Sequence, residues 1–356
     1  MRLSLLLPAR RHAEGSAALE RWIARGDRLA DAVSGRDTAL RECFEFTGAA
    51  VPVAALTRSL DGDEAAAAKW LRADPAFVMA DAVTLRLLRC GNMDLSAAEV
   101  EGFAQALKPL FGDAGLPFDA PHPQRWYLRC AQGVALPQFS SPDDALGDDL
   151  ANHLPEGADA RRWRSLLNEV QIVLTQHPLN AQRIRRGLAP VNSLWFWGAG
   201  TLPHKVHCEF DDVCSDDEVA TALGRLAGAS ARSLIDASAT LAKPSPSRER
   251  GRGLGEGGSL PSLGIGDDGK KNTSASNPLP RTKDLFGGKG SNARVLVDLA
   301  RERDARRLES EWFSPIDAAV KRREIDRLHL LFESGERCIV KPAHRWRFWR
   351  RVKPRA

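Results

Sequence analysis

Residues 168–203 constrain this chain more than any other stretch. Asn168 to Arg186 has helical character, and Gly187 is placed to cap its end. Trp163, Leu166, Leu167, Val170 and Leu174 recur at helical spacing and mark a core-facing stripe. The run Ser193–Trp197 then reads as an apolar strand, the pattern of a strand buried on both faces. That strand opens onto Gly198-Ala199-Gly200, where bare backbone approaches either another chain segment or an anion. Such a helix–turn–strand succession selects an α/β architecture.

The rest of the chain extends that architecture. Residues 1–60 read as a strand followed by helices, with Ala17–Ala32 the best helical candidate, and Ala65–Leu71 continues in helical style. Phe77–Leu88 suggests strands. Ser96 and Glu99 form a capping box before a helix carrying Val100, Phe103, Ala104, Leu107 and Leu110, ended by Gly112 and Gly115. Trp126–Cys130 is a short strand, Asp216–Leu226 a helix, Arg294–Leu299 a strand and Pro315–Arg323 a helix. Arg327–Phe332 and Arg337–Lys341 form a hairpin around Ser334-Gly335. The expected fold is α/β, a mixed or mostly parallel core sheet flanked by helices. Segments 1–69, 151–242 and 294–356 supply it, and 70–150 form a small inserted α+β unit. Gly, Ser and Pro make up 23 of the 50 residues 243–292, which hold one Phe and no Trp or Tyr. Such a composition cannot offset its ordering entropy, so 243–293 is expected to be a disordered insertion.

At 356 residues with 43 % hydrophobic and 27 % charged content, the chain reads as a soluble globular protein. No apolar run reaches the ~20 residues of a membrane span. Met1–Pro8 is too short in its apolar part for a signal peptide, so the expected location is cytoplasmic, without a membrane partner. Six dispersed cysteines fit free thiols in a reducing compartment. The net charge of +5 is a local property: Lys341, Arg345, Arg347, Arg350, Arg351, Lys353 and Arg355 lie in one acid-free tail, and the rest is close to neutral.

Several motifs compete with plainer readings. Gly253, Gly255 and Gly258 match a dinucleotide fingerprint, and Gly264 to Lys271 nearly matches a P-loop, but neither has the flanking strand and helix that phosphate binding needs. His204, His207, Cys208 and Cys214 have zinc-ligand chemistry at a spacing that fits no common zinc motif, the alternative being a polar loop with two buried thiols. In the tail, Trp346, Phe348 and Trp349 alternate with arginines. The pattern suits single-stranded nucleic acid, or else a tail docked through its Trp residues with its Arg residues in water.

The stretches Trp70–Pro75, Pro121–Arg129, Asn168–Pro203 and Trp346–Arg351 resemble archaeal-type cofactor-independent phosphoglycerate mutases of the alkaline phosphatase superfamily, and more closely the RpfE-type regulatory proteins of proteobacteria, a divergent branch. The resemblance implies a surface for a small phosphorylated or carboxylate metabolite built from Arg125, Arg129, Asn168, His177, Asn180, Arg183 and Asn192 with the turn Trp195, Trp197, Gly198 and Gly200. The alternative is that these groups cap backbone or face water. It also implies two metal ions held by Asp and His beside a Ser or Thr nucleophile. The first strand ends Leu7-Pro8-Ala9 with no acid, and residues 300–312 hold no His, so neither a catalytic residue nor a cofactor is expected. The function expected is a regulatory or ligand-sensing protein, with a protein partner in regulation. An active metal-dependent mutase or phosphatase and a nucleic-acid-binding regulator are the alternatives.

Overall fold

The computed structural model describes residues 1–13, 15–81, 84–131, 134, 136–157, 159–235, 237 and 292–350. The segment 243–291, with both glycine-rich motifs, lies outside the described residues, as do Arg351, Lys353 and Arg355. The strands are β1 Arg2–Leu7, β2 Asp27–Arg28, β3 Glu45–Phe46, β4 Lys69–Ala80, β5 Leu85–Cys90, β6 Phe118–His122, β7 Arg125–Cys130, β8 Ser193–Thr201, β9 Val206–His207, β10 Asp212–Cys214, β11 Ser230–Arg232, β12 Arg294–Asp298, β13 Arg327–Phe332 and β14 Arg337–Val340. The helices used below are α1 Ala17–Arg25, α2 Arg36–Cys43, α3 Val53–Asp61, α4 Ala97–Asp113, α5 Pro142–Ala145, α6 Ala160–Thr175, α7 Pro178–Arg185 and α8 Glu218–Leu226. Two compact units divide the chain. Among the described residues no helix is long and apolar enough to cross a membrane.

The first unit comprises Met1–Gly35, Phe210–Asp216 and Ala231–Ala356. Its seven-stranded sheet runs β11-β10-β12-β1-β13-β14-β2 and is mostly parallel. Strand β1 lies between β12 and β13, parallel to both, with Leu5 in register with Val297 and with Leu330. Leu3, Leu5, Leu6 and Leu7 are all buried, which explains the near-continuous apolar run of β1: both faces of the sheet are covered. Leu19 and Trp22 of α1 share one core cluster with Phe313, Ile316 and Val320 of the helical segment before the hairpin. Ser16 caps α1 by accepting from the Leu19 N–H, and the Trp22 indole donates to Asp317 Oδ1 at 2.9 Å. The mixed α/β class and the β13–β14 hairpin agree with the sequence.

The second unit comprises Arg36–Glu209 and Asp217–Ser230. It is built on an antiparallel sheet in which β4 is the hub. The early half of β4 pairs with β7, its late half with β5, and its other edge with β8. Strand β8, expected in the parallel core sheet, instead belongs here, because its apolar run is covered by β4 at one edge and by two side-chain layers. The stretch around Ala65 makes only a short 3-10 turn, Asp63–Ala67, before Trp70 and Leu71 enter β4. The helix after Asn168 is broken: α6 ends at Thr175, and Pro178, which cannot continue a helix interior, opens α7.

The two faces of this sheet differ in chemistry. Leu71, Ala73, Trp126, Leu128, Leu194 and Phe196 point to α4 and α6 and form the larger core. The alternate residues Trp70, Arg72, Asp74, Arg125, Tyr127 and Trp197 point the opposite way, as the period of two requires. Trp70 and Tyr127 meet Ala54 and Ala55 of α3 there. That opposite face carries the polar cluster.

Candidate functional site

Strand register assembles the centre of the cluster. Arg72 lies directly across from Tyr127 on one side and Trp197 on the other. Its guanidinium sits 5.5 Å from the Tyr127 ring and 5.3 Å from the Trp197 ring, within cation–π range of both. Arg72 Nε donates to Asp74 Oδ1 at 2.8 Å and Nη1 to Thr57 Oγ1 at 3.1 Å. Asp74 also accepts from the Trp197 indole at 2.7 Å and the Trp126 N–H at 3.3 Å. Burial opposes the charge on Arg72, yet the adjacent Asp74 carboxylate outweighs it and raises the guanidinium further. Full burial pushes the Asp74 carboxyl above its ordinary value, and its donors limit that rise.

A second arginine stands two residues along β7. Arg125 grips Asp61 with Nε and Nη2, at 2.9 and 2.5 Å, in the bidentate geometry that suits a planar carboxylate. The Tyr127 hydroxyl donates to the same Asp61 at 2.7 Å. Helix α3 delivers Thr57, Arg58 and Asp61 to this face because residues three and four apart share one side of a helix. Arg58 lies over Trp70 and Tyr127 and pairs with Asp119 at 2.8 Å. Burial works against the Asp61 anion, but the Arg125 and Tyr127 hydrogen bonds prevail and hold its carboxyl below the usual range. A depressed folded value adds stability above the unfolded value, near about 4, and that stability is lost as pH falls toward the folded one. Asp61→Asn is therefore expected to flatten the acid limb of a melting-temperature profile below about pH 4. An acid limb as steep in the variant as in the parent would remove Asp61 from that role.

Glu218 completes the cluster. It stands at the first position of α8, after the capping Asp217, whose Oδ1 accepts from Val219 and Ala220 N–H at 3.0 Å. Its carboxylate is bound by Arg125 Nη1 on one oxygen and lies 3.6 Å from Arg72 Nη1 on the other. Two guanidinium groups thus converge on one carboxylate, while the first N–H groups of α8 are taken by Asp217. Asp61 and Asp74 are held inside the fold, with side chains 7 % and 2 % exposed, whereas Glu218 is 34 % exposed. Of these three carboxylates, Glu218 is the one that can leave without exposing a buried charge.

Most of the residues expected to form a metabolite surface serve the fold instead. Asn180 bonds three backbone groups: its Nδ2 donates to the Leu174 and Val191 carbonyls, and its Oδ1 accepts from the Val191 N–H. Arg183 is fully buried on Glu99 Oε1 at 3.0 Å and on the Met93 and Ala189 carbonyls. His177 caps α7 and packs on Phe103, its pKa lowered by burial. Asn192 extends the sheet by bonding the Val78 N–H and carbonyl. The Trp195 indole donates to the Ser140 carbonyl. Asn168 and Arg129 are exposed.

The Gly-x-Gly turn receives a chain segment. A side-chain carbon on Gly200 would lie 2.4 Å from Pro52 Cβ, and one on Gly198, at φ +65°, would lie 2.9 Å from Val53 Cβ. The bare backbone lets β8 touch the start of α3. His204 and His207 are exposed, while Cys214 is buried in β10 with its thiol pushed up to about 12 by burial. Among the described residues no group of three or more His, Cys, Asp or Glu side chains is placed to hold a metal ion. Of the expected set, Arg125 and Trp197 reach the cluster. Thr57, Arg58, Asp61, Arg72, Asp74, Tyr127 and Glu218 were not singled out as site residues from the sequence. The legible signals were the alternations Arg72-x-Asp74 and Arg125-x-Tyr127, the latter holding the chain's one tyrosine.

Fold and cluster together define a mixed α/β protein in which two arginines meet on one partly exposed carboxylate. No family model matches the sequence. A probable 2,3-bisphosphoglycerate-independent phosphoglycerate mutase of Geobacter sulfurreducens is 31 % identical over 109 residues, covering 31 % of this chain and 27 % of that protein. The 2,3-bisphosphoglycerate-independent phosphoglycerate mutase of Methanothrix thermoacetophila is 32 % identical over 104 residues, covering 28 % and 26 %. The chain thus has homologues among these mutases, and the matched stretch spans about a quarter of the length of these two. Among solved structures, the cofactor-independent phosphoglycerate mutase from Thermoplasma acidophilum aligns with a TM-score of 0.40 at 13 % identity over 96 % of this chain and 90 % of that one. A Pyrococcus horikoshii protein aligns with a TM-score of 0.46 at 12 % identity over 96 % and 87 %.

Proposed function

We propose that this protein is a ligand-sensing regulatory relative of the phosphoglycerate mutases that binds a small phosphorylated or carboxylate metabolite at Arg72 and Arg125. The observation that carries this reading is the convergence of both guanidinium groups on the half-exposed Glu218 carboxylate. A ligand phosphate or carboxylate takes the place of Glu218 on the same donors. The resemblance to RpfE-type proteins supports the regulatory role.

A metal-dependent phosphoglycerate mutase is the second reading, favoured by the sequence relatives. The residues present do not fit the metal pair which that chemistry needs. Strand β1 runs out into Leu7, Pro8 and Ala9. At the end of β12, Asp298 is buried, with Oδ2 accepting from Ser215 Oγ at 2.9 Å and Oδ1 from the Ala300 N–H at 3.2 Å.

Thermal unfolding of chelator-treated protein separates the two readings. With 3-phosphoglycerate alone the melting temperature is expected to rise, since ligand at ~100 times its dissociation constant adds about 2.7 kcal/mol to the folded state. Glu218→Gln removes the internal competitor and is expected to reach the same shift at a lower ligand concentration. A rise that requires manganese favours the mutase. No rise with either addition, in parent and variant, overturns the sensor reading.

A further inference from the structure

The tail does not dock through its Trp residues, the second of the two readings its sequence allows. Two of its described arginines bond the fold: Arg347 Nη1 donates to the Arg25 carbonyl at 3.1 Å and to Asp27 Oδ1 at 2.6 Å, and Arg350 Nη1 donates to the Gly26 carbonyl at 3.1 Å. His344 is buried beneath them. The aromatic rings are left in water, with Trp346 63 %, Phe348 72 % and Trp349 66 % exposed. Single exposed apolar residues are ordinary, but three large aromatics within four residues are a patch. Phe348 and Trp349 stand edge to face at 5.5 Å, and the Arg345 guanidinium lies 4.8 Å from the Trp346 ring.

Arg345, which touches the Trp346 ring, also lines a recess of the first unit together with Arg21, Arg25, Lys321 and Lys341, with Asp317 as the acid among its lining residues. Asp317 is already bound by Arg21 at 3.0 Å, Lys321 at 2.7 Å and the Trp22 indole. Asp27 adds a second carboxylate beside the lining residue His344, at 3.3 Å, so cations outnumber acids here and Arg25, Lys341 and Arg345 are the ones not paired with Asp317. The cations of the recess come from α1, from the end of the helix Ser314–Lys321 and from the segment after β14, so the fold brings together charges that are far apart in sequence.

We infer that this face of the first unit binds single-stranded nucleic acid, with phosphates in the recess and bases on Trp346, Phe348 and Trp349. A single strand alternates anionic groups with flat rings, which matches cations set in a recess beside exposed aromatics. A bilayer surface presents its charge as a plane and matches an amphipathic helix better than a recess. The inference is independent of the metabolite site, which lies in the other unit.

The test uses the full chain, freed of co-purified nucleic acid, and a fluorescent single-stranded oligonucleotide of about 20 nucleotides. Anisotropy is expected to show saturable binding that weakens roughly 50-fold between about 50 and 200 mM salt, the effect of some four phosphate contacts on a single strand. Trp346→Ala combined with Trp349→Ala is expected to weaken binding at least about tenfold with an unchanged melting temperature. Lys341→Glu combined with Arg345→Glu is expected to flatten the salt dependence. Absence of saturable binding at low salt, or full binding by the double Trp variant, overturns the inference. So does co-sedimentation with phosphatidylserine vesicles in place of oligonucleotide binding.

Discussion

Replacing Arg183 by alanine is expected to destabilise the second unit by about 3–5 kcal/mol, the range for removing one partner of a buried ion pair. Arg183 is fully buried, and all three of its guanidinium nitrogens are engaged. Nη1 reaches Glu99, the acid of the capping box that starts α4, while Nε and Nη2 reach the Ala189 and Met93 carbonyls. The substitution strands a carboxylate whose side chain is 7 % exposed, and the exposed Arg186, 3.5 Å from it, is a weak replacement. At about 2–4 °C per kcal/mol for a unit of this size, the melting temperature falls by roughly 10 °C. A folded, undamaged Arg183→Ala protein that has lost 3-phosphoglycerate binding would show instead that Arg183 is a ligand group.

Gly200→Ala is expected to cost about 1–3 kcal/mol, the usual penalty of overpacking. The new methyl lies 2.4 Å from Pro52 Cβ and 2.9 Å from Pro52 Cα, so backbone must move. Gly62→Ala is the control: its φ of 169° is extended and nothing lies within 4 Å, so a near-neutral effect is expected. Denaturant titration of the three proteins decides the matter. Equal stability in Gly200→Ala and Gly62→Ala would sink the claim that the Gly-x-Gly turn exists to admit α3.

What could be read from the sequence was mostly local. The capping box at Ser96 and Glu99, the apolar stripe of α6, the apolar β1 and the β13–β14 hairpin each follow from neighbouring residues, and each is present. The placement of β8 was not legible, because an apolar five-residue run looks the same in a parallel core sheet and beside β4. The site was less legible still. Asn180 and Arg183 have the chemistry of ligand groups and the burial of structural ones, and sequence displays only the first. The Arg72–Tyr127–Trp197 stack depends on two strand registers, and Glu218 reaches Arg125 from 93 positions away.

The place of β1 in its sheet has a consequence for biosynthesis. Arg2 is in register with Arg294 on one side and with Arg327 on the other. The second unit, by contrast, draws on residues 36–230 alone. At ribosomal rates of ~5–20 residues per second, β1 waits roughly 15 s or more for its first parallel neighbour. Throughout that interval Leu3, Leu5, Leu6 and Leu7 form an unpaired apolar strand, the kind of segment that seeds association between nascent chains. All residues of the second unit are therefore made while β1 still lacks both of its parallel neighbours.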